Sequence, residues 1–386
     1  MKIAVVLIGY NRPEAMARLT KSVCQADYSM IEQVDLVLSL DHSNKQEEQA
    51  LAFEQVDWPH GEKVLRAFPE RQGLRNHVLQ CGDLTEKYDA IVALEDDLVV
   101  AKGYMDFVVQ AIRFYDHDDA IAGISLYTHR TNPGNGRYFE AVHNGFDAYL
   151  KQYAQSWGQC WTRKMWKAFR AWYAERDELV DCVEVPDYVR EWSNQSWLKY
   201  YITYTAQTNR YFVYPYIALS TNASDIGEHC KFVNNDYQVP LSQGTMQYRF
   251  PQVEQAVKYD AFFERVFDKN EWLASVEGKK LLDLYGLRTN FGDADVLVST
   301  QMLNYRILAS YSLKYRPQEV NCQLCETGDD IFAYDLHTPD QNKIDNRAAV
   351  GRYDIKALSW HSTLQHGLLG LKKAIATRLP GMKKRK

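Results

Sequence analysis

The sequence predicts an α/β fold: a large, mostly parallel, Rossmann-like central sheet flanked by helices, followed by a smaller, partly helical C-terminal region. Three observations predict it. Strand-like and helix-like segments alternate over the first third of the chain. The strand-like runs are continuously apolar and β-branched, as strands covered on both faces are. Polar clusters, one of them strongly acidic, stand at the ends of three of these runs.

Lys2 to Ile8 is the first such run and ends at Gly9. Asn11-Arg12-Pro13-Glu14 then opens a helix, with Pro in its first turn and Leu19 and Val23 on one face. Val34 to Leu40 is a second strand ending at Asp41, and Val64 to Phe68 a third. Arg75 to Leu84 reads as helix, Ala90 to Leu94 as a buried strand, Tyr104 to Phe114 as helix and Ala120 to Ser125 as strand. Next comes a Trp-rich loop entering an amphipathic helix, from Ser156 to Tyr173. A helix is expected from Arg190 to Gln207, a strand from Tyr211 to Leu219 and a loop from Gln238 to Gln252. The chain then reads as more helical from Val253 to about Leu287 and mixed from about Asp293 to Trp360. The expected domains are 1–252, 253–362 and a basic tail, 363–386.

Composition bounds the function. A chain of 386 residues, 46% hydrophobic, is ample for a large core. The net charge of −5 argues against a nucleic-acid binder. The tail from His366 carries seven Lys or Arg and no acid, so the rest of the chain carries −12. Aromatics are plentiful, and most are expected in core packing, with sugar-stacking faces a further use. The seven cysteines are scattered, and Cys322 and Cys325 form a lone C-x-x-C without the second pair a zinc site needs. Free thiols of this kind fit a reducing cytosol. The N-terminal apolar run reads as a strand and not as a signal peptide, and no run has the length of a membrane span.

The chemistry-bearing motif is Glu95-Asp96-Asp97. Ligands of open α/β sheets bind beyond the carboxyl ends of the strands, where Gly9–Arg12, Asp41–Asn44 and this triplet all stand. Three adjacent carboxylates repel one another unless a cation sits among them. Hard divalent ions, Mg²⁺ or Mn²⁺, take oxygen ligands and keep positions open for phosphate oxygens.

The segment from Ile91 to Ala101, with Tyr104 to Phe107, resembles the E-D-D region of the N-acetylglucosaminyltransferase I family and of related bacterial surface-polysaccharide glycosyltransferases of the GT-A type. The first strand with Asn11 and Arg12, the second ending at Asp41, and Ser156-Trp157-Gly158 match in order and spacing. The similarity covers about Met1 to His229, with a looser match at Leu281 to Gly286. It implies a metal-dependent transfer of a hexosyl or N-acetylhexosaminyl group from a nucleotide-diphosphate sugar, a UDP-sugar by preference, to a glycan or lipid-linked hydroxyl, with inversion. It implies Asp97 as metal ligand and Glu95 and Asp96 on the metal's waters or the donor. Gly9, Asn11, Arg12 and Asp41 would line the nucleotide, and Arg75 would steady the phosphates. Trp157 and Gly158 fall on the acceptor side. A late His, here His229, closes over the metal.

In these relatives the catalytic base lies in a W-D-D-W-like segment. Trp192 to Trp197 here contains no acid, which leaves Asp187 and Glu191 upstream as candidate bases. The apolar–basic tail suits the surface of an anionic membrane, placing the enzyme at the inner face of the cell membrane. Two other readings stay open: a catalytically degenerate GT-A domain that only binds glycan or membrane, and a nucleotidyltransferase. The lack of a Gly-rich phosphate loop after the first strand counts against the second.

Overall fold

The computed structural model describes residues 1–176, 184–225, 237–267, 276–355, 361, 364–365 and 367–372. The chain divides into two compact units, Met1–Trp272 with Tyr285–Gly292, and Leu273–Leu284 with Asp293–Lys386. The first unit continues past residue 252.

The first unit begins β1 (Ile3–Gly9), α1 (Pro13–Cys24), β2 (Val34–Leu40), α2 (Gln46–Glu54), β3 (Lys63–Ala67), α3 (Leu74–Gly82), β4 (Ala90–Glu95), β5 (Leu98–Val100), α4 (Tyr104–Tyr115) and β6 (Ile121–Ser125). It goes on with β7 (Ala148–Lys151), β8 (Gln159–Thr162), α5 (Arg163–Ala174), α6 (Asp187–Arg190), α7 (Trp197–Gln207), β9 (Tyr211–Pro215), β10 (Ser220–Asn222), β11 (Lys258–Tyr259) and β12 (Arg265–Val266).

Ten of these strands form one sheet in the order β12-β11-β7-β9-β6-β8-β4-β1-β2-β3. The half β4-β1-β2-β3 is wholly parallel, with α1, α2 and α3 as crossovers. β8 then runs antiparallel to both β4 and β6, and the far half is mixed. This is the expected α/β class.

Side chains alternate across a strand, so β1 feeds two cores. Ile3, Val5 and Leu7 join Leu19 and Val23 of α1 and Phe107 and Val108 of α4 on one face. Ala4, Val6 and Ile8 join Val78, Trp166, Phe169 and Tyr201 on the other. That second face is aromatic, with the rings of Phe169 and Tyr201 stacked 4.1 Å apart. Gly82 lies under Trp166, where a Cβ would come within 2.0 Å of the indole, so only glycine lets α5 approach α3.

Two expectations are corrected. The single helix over 190–207 is two, α6 and α7, with Ser196 capping α7 through its hydroxyl on the Lys199 amide, 3.3 Å away. The helical reading of 253–287 also fails. The described residues there hold no helix and contribute β11, β12 and the first strand of the second unit. Tyr259 of β11 buries in the aromatic core and pairs with β7, and a turn then carries Ala261 and Phe263 into the same core, the Phe263 amide donating to the Asp260 carbonyl at 3.1 Å.

The second unit contains β13 (Lys280–Asp283), β14 (Val296–Ser299), β15 (Tyr305–Tyr311), α8 (Glu319–Leu324), β16 (Ile331–Pro339) and α9 (Arg347–Asp354). Its sheet runs β13-β14-β16-β15. Beyond α9, Leu364, Leu368, Leu369 and Leu371 are each more than half exposed. Among the described residues no helix is long and apolar enough to cross a membrane.

Candidate functional site

Strand register assembles the site. Ile8 pairs with Glu95 and Gly9 with Leu40, so the loops after β1, β2 and β4 emerge side by side. They line one cleft with Asp41, Arg71, His77 and Asp225, at the carboxyl ends of the parallel strands. Gly9 packs closely there, a Cβ on it falling 2.6 Å from the flexible tip of Met16 and 3.1 Å from Leu40. Asn11 is exposed at the rim.

Asp96 and Asp97 form the turn between β4 and β5. Arg12 grips Asp96 through Nε, 3.2 Å from Oδ2, and through a second guanidinium nitrogen. The same guanidinium lies 4.0 Å from Asp97. β5 pairs antiparallel with β10, which sets Asn222 opposite Leu98. Asn222 Nδ2 donates to Asp97 Oδ2 at 3.0 Å, and the Ala223 amide donates to the Asp97 carbonyl at 2.7 Å. Asp97 Oδ1 is buried and accepts no hydrogen bond among the described residues.

Burial, followed by the charges of Asp97 and Asp96, holds the Glu95 carboxyl well above the usual carboxylate range. Burial pushes Asp96 up to about 6 against the pull of Arg12. Burial raises Asp97 too, against Arg12 and the Asn222 hydrogen bond. Three carboxyls strained in this way favour a positive ligand. His77 is neutral, lowered to about 4 by burial, and bonds Ser39 Oγ at 2.8 Å.

The residues fit a divalent cation. Five acidic side chains line the cleft (Asp41, Glu95, Asp96, Asp97, Asp225) with Arg12 and Arg71 among them, and Arg18 pairs with Asp225. The orphaned Asp97 oxygen is a hard donor. Among the described residues no three ligand groups converge into a ready-made cage. Mg²⁺-type sites need none, since one or two carboxylates serve when substrate phosphates complete the shell.

Asp41 is spent on backbone: Oδ1 accepts from the His42 and Gln72 amides at 2.8 and 2.7 Å, and Oδ2 from Gly73 at 3.0 Å. It therefore fixes the loop carrying Arg71, whose guanidinium lies over the Tyr10 ring at 4.9 Å.

Arg75, expected on the donor phosphates, does not line the cleft. It bonds the Tyr173 hydroxyl at 2.6 Å and the Asn194 carbonyl at 2.8 Å, and lies 4.3 Å over Tyr200. The aromatic faces of α5 and α7 hold it there.

Trp157 is half-buried between Tyr127 and Tyr237, at 4.7 and 4.6 Å. Gly158 has φ +90°, and a Cβ on it would come 3.0 Å from Ser220 Oγ and 3.3 Å from Leu94, which places this loop against the end of β4. Asp187 pairs with Arg190 and accepts from Thr289 Oγ1 at 3.1 Å. Glu191 is exposed, and neither acid lines the cleft. His229 lies outside the described residues. Sequence reasoning missed Asn222, Asp225 and Arg18, which lie far from the triplet in the chain and carry no local motif.

No family model matches the sequence, and no curated protein sequence matches it. Solved structures with some likeness include S. aureus TarS 1–349 in complex with UDP-GlcNAc (14% identity, TM-score 0.39, covering 60% of this chain and 60% of that one). GalNAc-T7 with UDP, GalNAc and Mn²⁺ follows at 13% and 0.38, over 55% and 42% of the two chains. The mannosyltransferase PcManGT from Pyrobaculum calidifontis, in complex with GDP-Man and Mn²⁺, gives 12% and 0.31 over 44% and 46%. The chain spans about three fifths of the length of the first. At these scores the likenesses assign neither a donor nor a residue role to this chain.

Proposed function

We propose that the chain is a glycosyltransferase of the GT-A type that takes a sugar from a nucleoside-diphosphate donor, a UDP-sugar by preference, and delivers it to a hydroxyl of a glycan or lipid-linked acceptor. The observation that carries this reading is the buried, unpartnered oxygen of Asp97 in an acidic strand-end cleft that also presents Arg12 and Arg71. A Mg²⁺ or Mn²⁺ ion held through Asp97 would neutralise charge on the departing diphosphate.

The chain's own residues do the rest. Asp41 fixes the loop that brings Arg71 to the cleft, and Tyr10 and Arg71 form a flat wall there. Asn222 orients Asp97. Glu95 and Asp96 face the donor beside Arg12. His229 would complete the metal's surroundings. The acceptor approaches along Trp157 and Gly158, and inversion requires Asp187 or Glu191 to take its proton. Asp187 is already committed to Arg190 and Thr289, whereas Glu191 is exposed.

The exposed leucines after α9 and the basic tail suit an anionic membrane at the cytoplasmic face, where a bacterial surface polysaccharide is assembled on a lipid carrier.

The test is a screen of nucleotide-sugars with the full chain and MnCl₂, following release of nucleoside diphosphate. The expected result is metal-dependent release from a UDP-sugar, lost in Asp97→Asn with the fold retained. Full activity of D97N at saturating Mn²⁺ rejects the reading, and binding without any turnover supports a degenerate, ligand-binding domain.

A further inference from the structure

Asp225 lines the cleft with Glu95, Asp96 and Asp97, although it lies more than a hundred residues further along the chain. The segment that carries it is stitched to Asp97. Asn222 Nδ2 and the Ala223 amide both donate to Asp97, and Asn222 Oδ1 accepts from the Ser224 amide at 2.6 Å. Ser224 then takes φ +63°, a conformation costly for a side-chain-bearing residue, and this turn sets the direction in which Asp225 leaves. From α1, Arg18 meets the carboxylate with both terminal nitrogens, one of them 3.2 Å from Oδ1.

The Arg18–Asp225 pair is two-pronged and partly exposed, 37% and 30% at its side chains, so it stabilises the fold only modestly. A fourth carboxylate lining the same cleft as three others adds like-charge repulsion. A local turn strain and a like charge retained together are features of a site and not of a scaffold.

A cation would offset the repulsion. Asp97 offers one unpartnered oxygen, and a Mg²⁺-type ion commonly takes one or two carboxylates with the phosphates of its substrate. We propose that Asp225 is the second carboxylate of the divalent-cation site and that Arg18 is its positioning residue, holding the carboxylate in place before the cation arrives. This rests on the glycosyl-transfer reading of the same cleft.

The experiment is titration of the full chain with MnCl₂, alone and with UDP, followed by the electron paramagnetic resonance of free Mn²⁺ and by calorimetry. Asp225→Asn is expected to weaken Mn²⁺ uptake in the presence of UDP by about 100-fold, and Arg18→Met by about tenfold, the range for groups that orient a metal ligand. Arg18→Lys, which keeps the charge, should recover part of that loss, which a purely structural role would not predict. Thermal melts identify any variant that unfolds, and the double variant R18M/D225N, free of an unpaired charge, should bind as weakly as D225N. Mn²⁺ affinity unchanged in folded D225N, with D97N impaired, overturns this assignment and leaves the glycosyl-transfer reading standing. A parent chain that takes up no Mn²⁺ with UDP overturns both.

Discussion

Lys151 Nζ lies 2.8 Å from His129 Nδ1, with both side chains buried and no ion pair to a carboxylate among the described residues. The amine sits 3.9 Å over Phe263 and 4.2 Å over Tyr214. Burial holds the Lys151 and His129 pKa values well below their ordinary ranges. The imidazole therefore stays neutral, and the amine sheds its proton more readily than an exposed lysine.

This pair makes stability depend on pH. In the unfolded chain Lys151 would bind its proton up to a pKa of about 10.4. Between its lowered native pKa and that value the unfolded state holds more protons, so stability rises with pH. Relative to Lys151→Met, the parent should gain up to about 1.4 kcal/mol per pH unit between pH 7 and 9. Urea midpoints of the two proteins across that range measure it. Parallel pH profiles would mean that the aromatic cage keeps the lysine charged.

Asp41 predicts a structural effect at the cleft. Asp41→Ala leaves three backbone amides without their acceptor and should destabilise the first unit by about 3 kcal/mol. Hydrogen exchange at Gln72 and Gly73 should accelerate more than exchange in β1 or β4. Equal acceleration throughout would mean that the carboxylate does not act locally.

The elements around Asp41 were legible because local chemistry decided them. β1, β2 and β4 are buried on both faces and are written in Ile, Val, Leu and Ala, and the acids follow where β4 must stop. Asp41 stood out by position, but its occupation by backbone amides depends on a loop thirty residues on, which no window contains. Asn222 and Asp225 reach the triplet only through the β5–β10 pairing, a contact between two three-residue strands. The misread 253–287 stretch holds short strands, of which β11 finds its partner β7 far back in the chain and β13 pairs with β14, so pattern alone could not separate them from helix.

Arg75 was legible as a cation near the first strands, but not in its direction. Tyr173 and Tyr200 offer it a hydroxyl and a ring face, and desolvated guanidinium–aromatic contacts are favourable. Arg75→Ala should therefore cost about 1–2 kcal/mol of stability and leave UDP affinity in the presence of Mn²⁺ unchanged. Calorimetry on the folded variant decides it: a tenfold loss of affinity would return Arg75 to the donor.

Asn222 joins the two carboxylate-bearing segments, because its amide nitrogen serves Asp97 and its amide oxygen serves Ser224. Asn222→Ala removes both bonds and lets the Asp97 carboxylate turn, at an expected stability cost of about 1–2 kcal/mol. The larger effect should fall on the cation, with Mn²⁺ affinity in the presence of UDP down about tenfold, as for groups that orient a metal ligand. Asn222→Asp keeps the size and can still accept from Ser224, but it sets a further carboxylate against Asp97 in place of a donor. If orientation governs the site, N222A and N222D should lose Mn²⁺ affinity alike. If total negative charge governs it, N222D should bind Mn²⁺ more tightly than the parent, and only N222A should fall.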